Sequence, residues 1–170
     1  MAIEIERKFL VRDDSWRKSS TGSARIRQGY FARTPLLRAR IRIYGEKGYI
    51  TLKSEPGVLV RHEYEYEIPK AEAIEMIKQF SIEPIIIKTR YDVPFDGVVW
   101  AVDVFEGANT GLVIAEAELK SEDQSLALPP WAGDELTNDR RYGNSNLARY
   151  PFLTWDEDGN PTDAPDDDNA

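Results

Sequence analysis

Two short stretches of this sequence place a carboxylate at every second position. Glu4-Ile5-Glu6-Arg7-Lys8 near the N-terminus and Glu116-Ala117-Glu118-Leu119-Lys120 far along the chain both read Glu-x-Glu-x-Lys. In an extended strand alternate residues share a face about 6.5–7 Å apart, so each motif aligns two carboxylates and an ammonium. Paired carboxylates unaccompanied by His or Cys are hard oxygen donors that suit Mg2+ or Mn2+ better than Zn2+. The chain has a single histidine, His62, and no cysteine, which excludes disulfides, thiolate chemistry and multi-histidine metal clusters. A second set of residues is cationic: Lys8, Arg40, Arg42, Lys53, Lys88 and Arg90. Guanidinium forks grip phosphate oxygens bidentately, while lysine acts as a mobile point charge. Together the two sets describe a site for a polyanion whose charge is partly neutralised by a divalent ion, and a polyphosphate fits that description.

The overall charge argues against nucleic acid as the polyanion. Of 30 acidic residues, seven lie in 156–170, a segment without a base or a large apolar side chain. The remainder sets 22 bases against 23 acids, so the body is nearly neutral and offers no external basic stripe. The acidic segment is expected to be a solvated, disordered tail after a single domain spanning 1–155. No run approaches the ~20 apolar residues of a membrane span and the N-terminal residues lack signal-peptide anatomy, so a cytoplasmic protein is expected. A Gly-x-x-x-x-Gly-Lys loop and a Gly-x-Ser-x-Gly elbow are both absent, which removes P-loop nucleotidases and serine hydrolases.

The elements that must position these residues are strands. Period-two runs occur at roughly 2–12, 24–33, 36–45, 48–54, 60–68, 85–94, 98–106 and 112–120, separated by turns such as Gly45-Glu46-Lys47-Gly48, Glu55-Pro56-Gly57 and Asp96-Gly97. After Pro69 the spacing predicts a helix with Ala73, Ile74, Ile77 and Phe80 on one face, and shorter helical pieces are expected near 122–128 and 144–150. The expected class is mainly antiparallel β, a closed eight-stranded barrel with a few flanking helices. What alternates is unusual. One face of strand after strand is ionic (Glu4, Glu6, Lys8; Arg40, Arg42; Lys53; Glu63, Glu65; Lys88, Arg90; Asp103; Glu116, Glu118), and the other is apolar or aromatic, including Tyr64 and Tyr66. With too few helices to cover such a sheet, the apolar face is expected outward beneath them and the charged face inward, lining a wet lumen.

The ordered series resembles the CYTH superfamily, the triphosphate tunnel metalloenzymes. Glu4-Ile5-Glu6-Arg7-Lys8-Phe9 resembles its ExExK signature. The likeness continues through Arg40-Ile41-Arg42, Thr51-Leu52-Lys53, Glu63-Tyr64-Glu65, Lys88-Thr89-Arg90-Tyr91, Val102-Asp103-Val104 and Glu116-Ala117-Glu118. It ends at Thr137-Asn138-Asp139-Arg140-Arg141-Tyr142-Gly143-Asn144-Ser145-Asn146-Leu147-Ala148, which is similar to the closing segment of small bacterial members. The resemblance implies an eight-stranded tunnel that hydrolyses a triphosphate with Mg2+ or Mn2+, inorganic tripolyphosphate first and nucleoside triphosphates among the alternatives. It places Lys8, Arg40, Arg42, Lys53, Lys88 and Arg90 on phosphate, and Glu116 and Glu118, with Asp103, on a metal. Glu4 and Glu6 would stand near a second metal or the attacking water, with Lys8 beside them, while Glu63 and Glu65 line the tunnel without an assigned task. Class IV adenylyl cyclases and thiamine triphosphatases are relatives and remain alternatives, as does a polyphosphate-binding module without turnover. The expected partner is the triphosphate, not nucleic acid or membrane, for a monomer or homodimer.

Overall fold

Strands that carry charge on one face and apolar side chains on the other must bury the apolar face and keep the charged face solvated or paired. The fold follows that division. In the computed structural model residues 2–54 and 60–162 are described, and of 2–4 and 60–61 only the backbone. Among the described residues nine strands form: β1 (Ala2–Val11), β2 (Gly22–Arg33), β3 (Leu37–Tyr44), β4 (Lys47–Ser54), β5 (Val60–Ile68), β6 (Ile86–Phe95), β7 (Val98–Phe105), β8 (Val113–Glu118) and β9 (Ala132–Glu135). Two α-helices, α1 (Lys70–Phe80) and α2 (Asn144–Arg149), accompany them. The turn at Glu55-Pro56-Gly57 lies outside the described residues.

All pairings are antiparallel and belong to one sheet, in the order β5-β4-β3-β2-β6-β7-β8-β1-β9. β5 pairs additionally with β1, from Ala2 opposite Glu63 to Ile5 opposite Val60. β1 thus serves three partners: its first residues pair β5, Glu6 to Leu10 pair β8, and Phe9 and Val11 pair β9. The fold is mainly antiparallel β with few helices, as expected from the period-two pattern. The ninth strand was not foreseen, because Ala132-Gly133-Asp134-Glu135 has no alternation to reveal it.

The expected helix near 122–128 is absent. Gln124 there accepts the backbone N–H of Lys120 on its side-chain oxygen at 2.7 Å and donates its own N–H to the Ser121 carbonyl at 3.2 Å. Side chains that satisfy the backbone in a turn compete with helix formation, and Pro129-Pro130 close the segment. A 3-10 turn at Asp14–Ser19, capped by the Asp13 carboxylate, buries Trp16 instead. The acidic segment from 156 is described as far as Thr162. There it turns back, bridges Trp155 to Pro161, and accepts a hydrogen bond from Arg141 Nη1 on the Gly159 carbonyl at 2.8 Å.

Apolar side chains collect in three places. Phe9, Val102, Ala115 and Ala117 lie under Trp16, Trp100 and Trp131, and Ile41 and Ile43 lie under Ala73 and Ile77 of α1. Tyr64 and Tyr66 remain 44% and 59% exposed, so the outward face of β5 is not packed as expected. Phe80, placed by spacing on the buried face of α1, is exposed as well. The third cluster sits on the ionic faces themselves. Two places beyond the charges come Leu10 after Lys8, Ile114 before Glu116, Phe105 after Asp103 and Ile86 before Lys88, and these pack on Leu147 and Ala148 of α2. α2 therefore covers an apolar end of an otherwise charged wall.

The seat of α1 depends on Gly48. A Cβ there would lie 2.7 Å from the Ala73 Cβ and 3.0 Å from the Ile68 carbonyl oxygen. Gly48→Ala is expected to lower stability by about 1–3 kcal/mol, the scale of overpacking, and to reduce Tm by several degrees in calorimetry. An unchanged Tm would show that α1 does not depend on this close approach.

Candidate active site

The register decides which charges meet. On neighbouring β1 and β8, Lys8 stands opposite Glu116 and Glu6 opposite Glu118. On β4 and β5, Lys53 stands opposite Glu63 and Thr51 opposite Glu65, and on β6 and β7, Arg90 stands opposite Asp103. Opposed residues of an antiparallel pair project to the same side, so the ionic faces converge. They line one cavity of about 490 Å3. β1, β3 and β4 supply Glu6, Lys8, Arg40, Arg42 and Lys53, β5 and β6 supply Glu63, Glu65, Lys88 and Arg90, and β8 supplies Glu116 and Glu118. Val99 and Ala101 of β7 and Asn144 of α2 complete the lining.

Inside the cavity the charges are paired. Lys8 Nζ lies 3.1 Å from Glu6 Oε1 and 3.1 Å from Glu116 Oε1. Lys53 Nζ reaches Glu63 Oε2 at 2.6 Å, and Arg40 approaches the other oxygen of that carboxylate at 4.0 Å. Glu65 Oε2 accepts from Arg42 Nη2 at 2.7 Å and from the Thr51 hydroxyl at 2.8 Å. Arg90 holds Asp103 through two parallel hydrogen bonds of 2.7 Å and also donates to Glu116 Oε2 at 2.8 Å. Lys88 donates to the same Asp103. Eleven of the thirteen residues singled out in the sequence thus share one cavity. Asp103 sits fully buried just behind it, engaged by Lys88 and Arg90. The backbone of Glu4 pairs with Arg61, and its side chain lies outside the described residues.

Residues 2–150 match the CYTH domain. The chain belongs to the CYTH family. It is 43% identical over 157 residues to an inorganic triphosphatase of Acetivibrio thermocellus, spanning 92% of this chain and 100% of that one. It is 40% identical over 149 residues to an inorganic triphosphatase of Nitrosomonas europaea, spanning 85% and 96% of the two chains. The crystal structure of an inorganic triphosphatase superposes with a TM-score of 0.63 at 37% identity, covering 87% of this chain and 95% of the other.

The electrostatics of this CYTH site follow from burial working against pairing. Burial alone would raise the Glu116 carboxyl, but Lys8, Arg90 and Lys88 hold it well below the usual carboxylate range. Burial would likewise discourage the Arg90 cation, yet Asp103 and Glu116 raise it well above the ordinary value. Arg42 is lowered by burial first and by the neighbouring Arg40 second. Lys88, 1% exposed, is pushed down to about 8, because burial outweighs the attraction of Asp103.

A divalent ion is implied by the family, and the carboxylates of β1 and β8 fit one in kind. Glu6 and Glu118 are like charges in directly opposed positions, an arrangement that repels unless a cation lies between or beside them. Lys8 supplies part of that compensation through Glu6. Among the described residues no group of three such ligands stands ready as a closed cage.

Two polar residues on this wall had no role assigned from the sequence. Asn144 Oδ1 accepts from Lys88 Nζ at 3.5 Å and stands at the start of α2. That segment is tied to β2 by Arg33, which donates to the Ser145 carbonyl at 3.0 Å and to the Asn146 side chain. Gln28 is buried opposite Arg42. Its signal was a polar residue at an even position of a strand whose neighbours Ile26 and Tyr30 are not charged.

Lys88 makes the site sensitive to pH in a defined direction. Above about 8 its folded form is neutral, while the unfolded side chain stays protonated up to its ordinary 10.5. The unfolded chain then binds more protons, so this group's contribution to stability rises with pH across that window. Ligand binding runs the other way, since a polyanion favours the charged lysine. At about pH 9 binding of inorganic tripolyphosphate should take up more protons in the wild type than in Lys88→Arg, by up to one per site. Calorimetry in two buffers of different ionisation heat measures the difference, and equal uptake in both proteins would contradict this reading.

Proposed function

We propose that this chain hydrolyses a phosphoanhydride bond of inorganic tripolyphosphate in the cytoplasm, with nucleoside triphosphates as secondary substrates, and that it requires Mg2+ or Mn2+. The observation that carries the reading is the convergence of six cations and two opposed carboxylate strands on one small cavity. Two relatives at 43% and 40% identity that bear the name inorganic triphosphatase support it. The pairing of β5 with β1 supports treating the sheet as an eight-stranded tunnel to which β9 is appended.

In this proposal Lys8, Arg40, Arg42, Lys53, Lys88 and Arg90 take phosphate oxygens, exchanging their carboxylate partners for the ligand. Glu116 and Glu118, with Glu6 across the strand pair, would hold the divalent ion, and Asp103 behind them is the further carboxylate that could serve it. Bound there, the ion supplies charge neutralisation on the phosphates and acidifies water. Glu4 and Glu6 orient the attacking water and accept its proton as its oxygen bonds to the terminal phosphorus. The bridging P–O bond breaks, and pyrophosphate leaves with the bond's electron pair. Phosphoryl transfer of this kind proceeds through a loose transition state, so positioning and charge neutralisation supply most of the acceleration.

A cyclase would need a surface for a nucleobase, and a thiamine triphosphatase one for a thiazolium ring. Among the described residues the cavity lining offers only Val99 and Ala101 as apolar side chains, which favours an inorganic substrate. A pure binding module would have no use for Glu6 and Glu118 facing one another.

The deciding assay supplies tripolyphosphate, pyrophosphate, ATP or thiamine triphosphate, each with Mg2+, Mn2+ or Ca2+. Phosphate should be released fastest from tripolyphosphate and not at all in EDTA, whereas cyclic AMP as the main product from ATP would overturn the reading. The metal assignment has its own test in thermal unfolding. Glu118→Gln should raise the Tm of the metal-free protein by about 1–3 °C, because one of two opposed like charges is gone. The same change should shrink the Tm increase that Mg2+ gives the wild type, and an undiminished increase would place the ion elsewhere.

A further inference from the structure

Glu63 and Glu65 are the carboxylates that β5 gives the cavity. Across β1 and β8, Glu6 and Glu118 oppose each other while Glu116 meets Lys8. Across β4 and β5 no two of the cavity's carboxylates are opposed: Glu63 stands opposite Lys53, and Glu65 opposite Thr51. Each already has a protein partner at close range: Lys53 at 2.6 Å for Glu63, Arg42 at 2.7 Å and the Thr51 hydroxyl at 2.8 Å for Glu65. Arg40 adds a looser approach to Glu63 at 4.0 Å. The side chains are only 17% and 30% exposed. Three of the six cations are therefore engaged by β5.

We propose that Glu63 and Glu65 are internal counter-anions that compete with phosphate for Lys53, Arg40 and Arg42, and that their return to these cations speeds product release. This rests on the reading of the cavity as a triphosphate site. The physical reason is symmetrical. An incoming phosphate must displace a carboxylate from a partly buried cation, and it leaves that carboxylate close to a polyanion. The same terms reverse when the ligand leaves, since the cation meets a tethered carboxylate rather than an empty wall. Without the two carboxylates, three cations would lose these counter-charges and hold anionic products more tightly. Binding energy realised equally in ground state, transition state and product complex does not raise turnover, and tight product binding slows it.

The proposal opposes a simpler role, in which the carboxylates hold Lys53 and Arg42 in position for phosphate. The two predict opposite signs. Pyrophosphate is the probe, titrated calorimetrically without divalent metal into wild type, Glu63→Gln, Glu65→Gln and Glu63→Asp, each verified as folded by circular dichroism. As competitors, Glu63 and Glu65 should weaken binding, so either Gln variant should bind pyrophosphate about tenfold more tightly, the scale of one charge-assisted hydrogen bond. Glu63→Asp keeps the charge and should stay near wild type. With tripolyphosphate and Mg2+ the Gln variants should show lower KM together with lower kcat, and a smaller inhibition constant for pyrophosphate. Tighter binding by either Gln variant, including binding where wild type shows none, supports the proposal. Equal or weaker binding in both, or none in any protein, overturns it. Absence of tripolyphosphate turnover by wild type would instead defeat the triphosphatase reading, and the sign of the pyrophosphate result would still decide the role of the two carboxylates.

Discussion

Charge pairing inside the cavity is the constraint on which the remainder of the structure rests. Ionised groups withdrawn from water must meet partners, and a buried pair that loses one member is strongly destabilising. Among the described residues six cations and five carboxylates face one volume, and every one of the six has a carboxylate oxygen within 4.0 Å. The register cannot slip, because moving one strand by one residue would turn its charges outward and its apolar face inward. Since most of the inward surface is polar, apolar side chains are buried outside it, under α1 and under three tryptophans, and at the one apolar end of the ionic faces, against α2. The molecule has these separate clusters in place of one core.

Much of this was legible in the sequence, because the period is local. The alternation of Arg38-Ala39-Arg40-Ile41-Arg42-Ile43 or Glu63-Tyr64-Glu65-Tyr66 is visible without knowing any partner, and it led directly to the charged face and to antiparallel strands. Pairing is not local. Asp103 looks in sequence like a free carboxylate, and register alone sets it opposite Arg90 with Lys88 beside it. Glu63 and Glu65 had no task until β4 was seen across from them. β9 and the 120–130 segment have no period, and their form is decided by turn chemistry and by Phe9 and Val11 of β1.

α2 was expected on composition, but its importance was not. Six residues make a helix too short to be stable alone, so tertiary contacts must hold it. They come from two sides. Leu147 and Ala148 are buried against Ile86, Phe105, Leu112 and Ile114, and Arg33 ties Ser145 and Asn146 to β2. The consequence reaches the site, since Asn144 is thereby fixed beside Lys88 at the floor of the cavity.

That floor shows how lysine and arginine answer the same burial differently. Arg90 and Lys88 share Asp103, and each is deeply enclosed. A guanidinium does not give up its proton in proteins, so Arg90 must be accompanied, and Asp103 and Glu116 both stay with it. An ammonium has a second way out, and burial pushes Lys88 down to about 8 with Asp103 only partly opposing the loss. Its Nζ also lies 5.3 Å from the centre of the Phe105 ring, a neighbour that tolerates either form. Above about pH 8 the charge of the site becomes conditional: a polyanion beside Lys88 raises the lysine's proton affinity, so the ligand restores part of the charge that binds it.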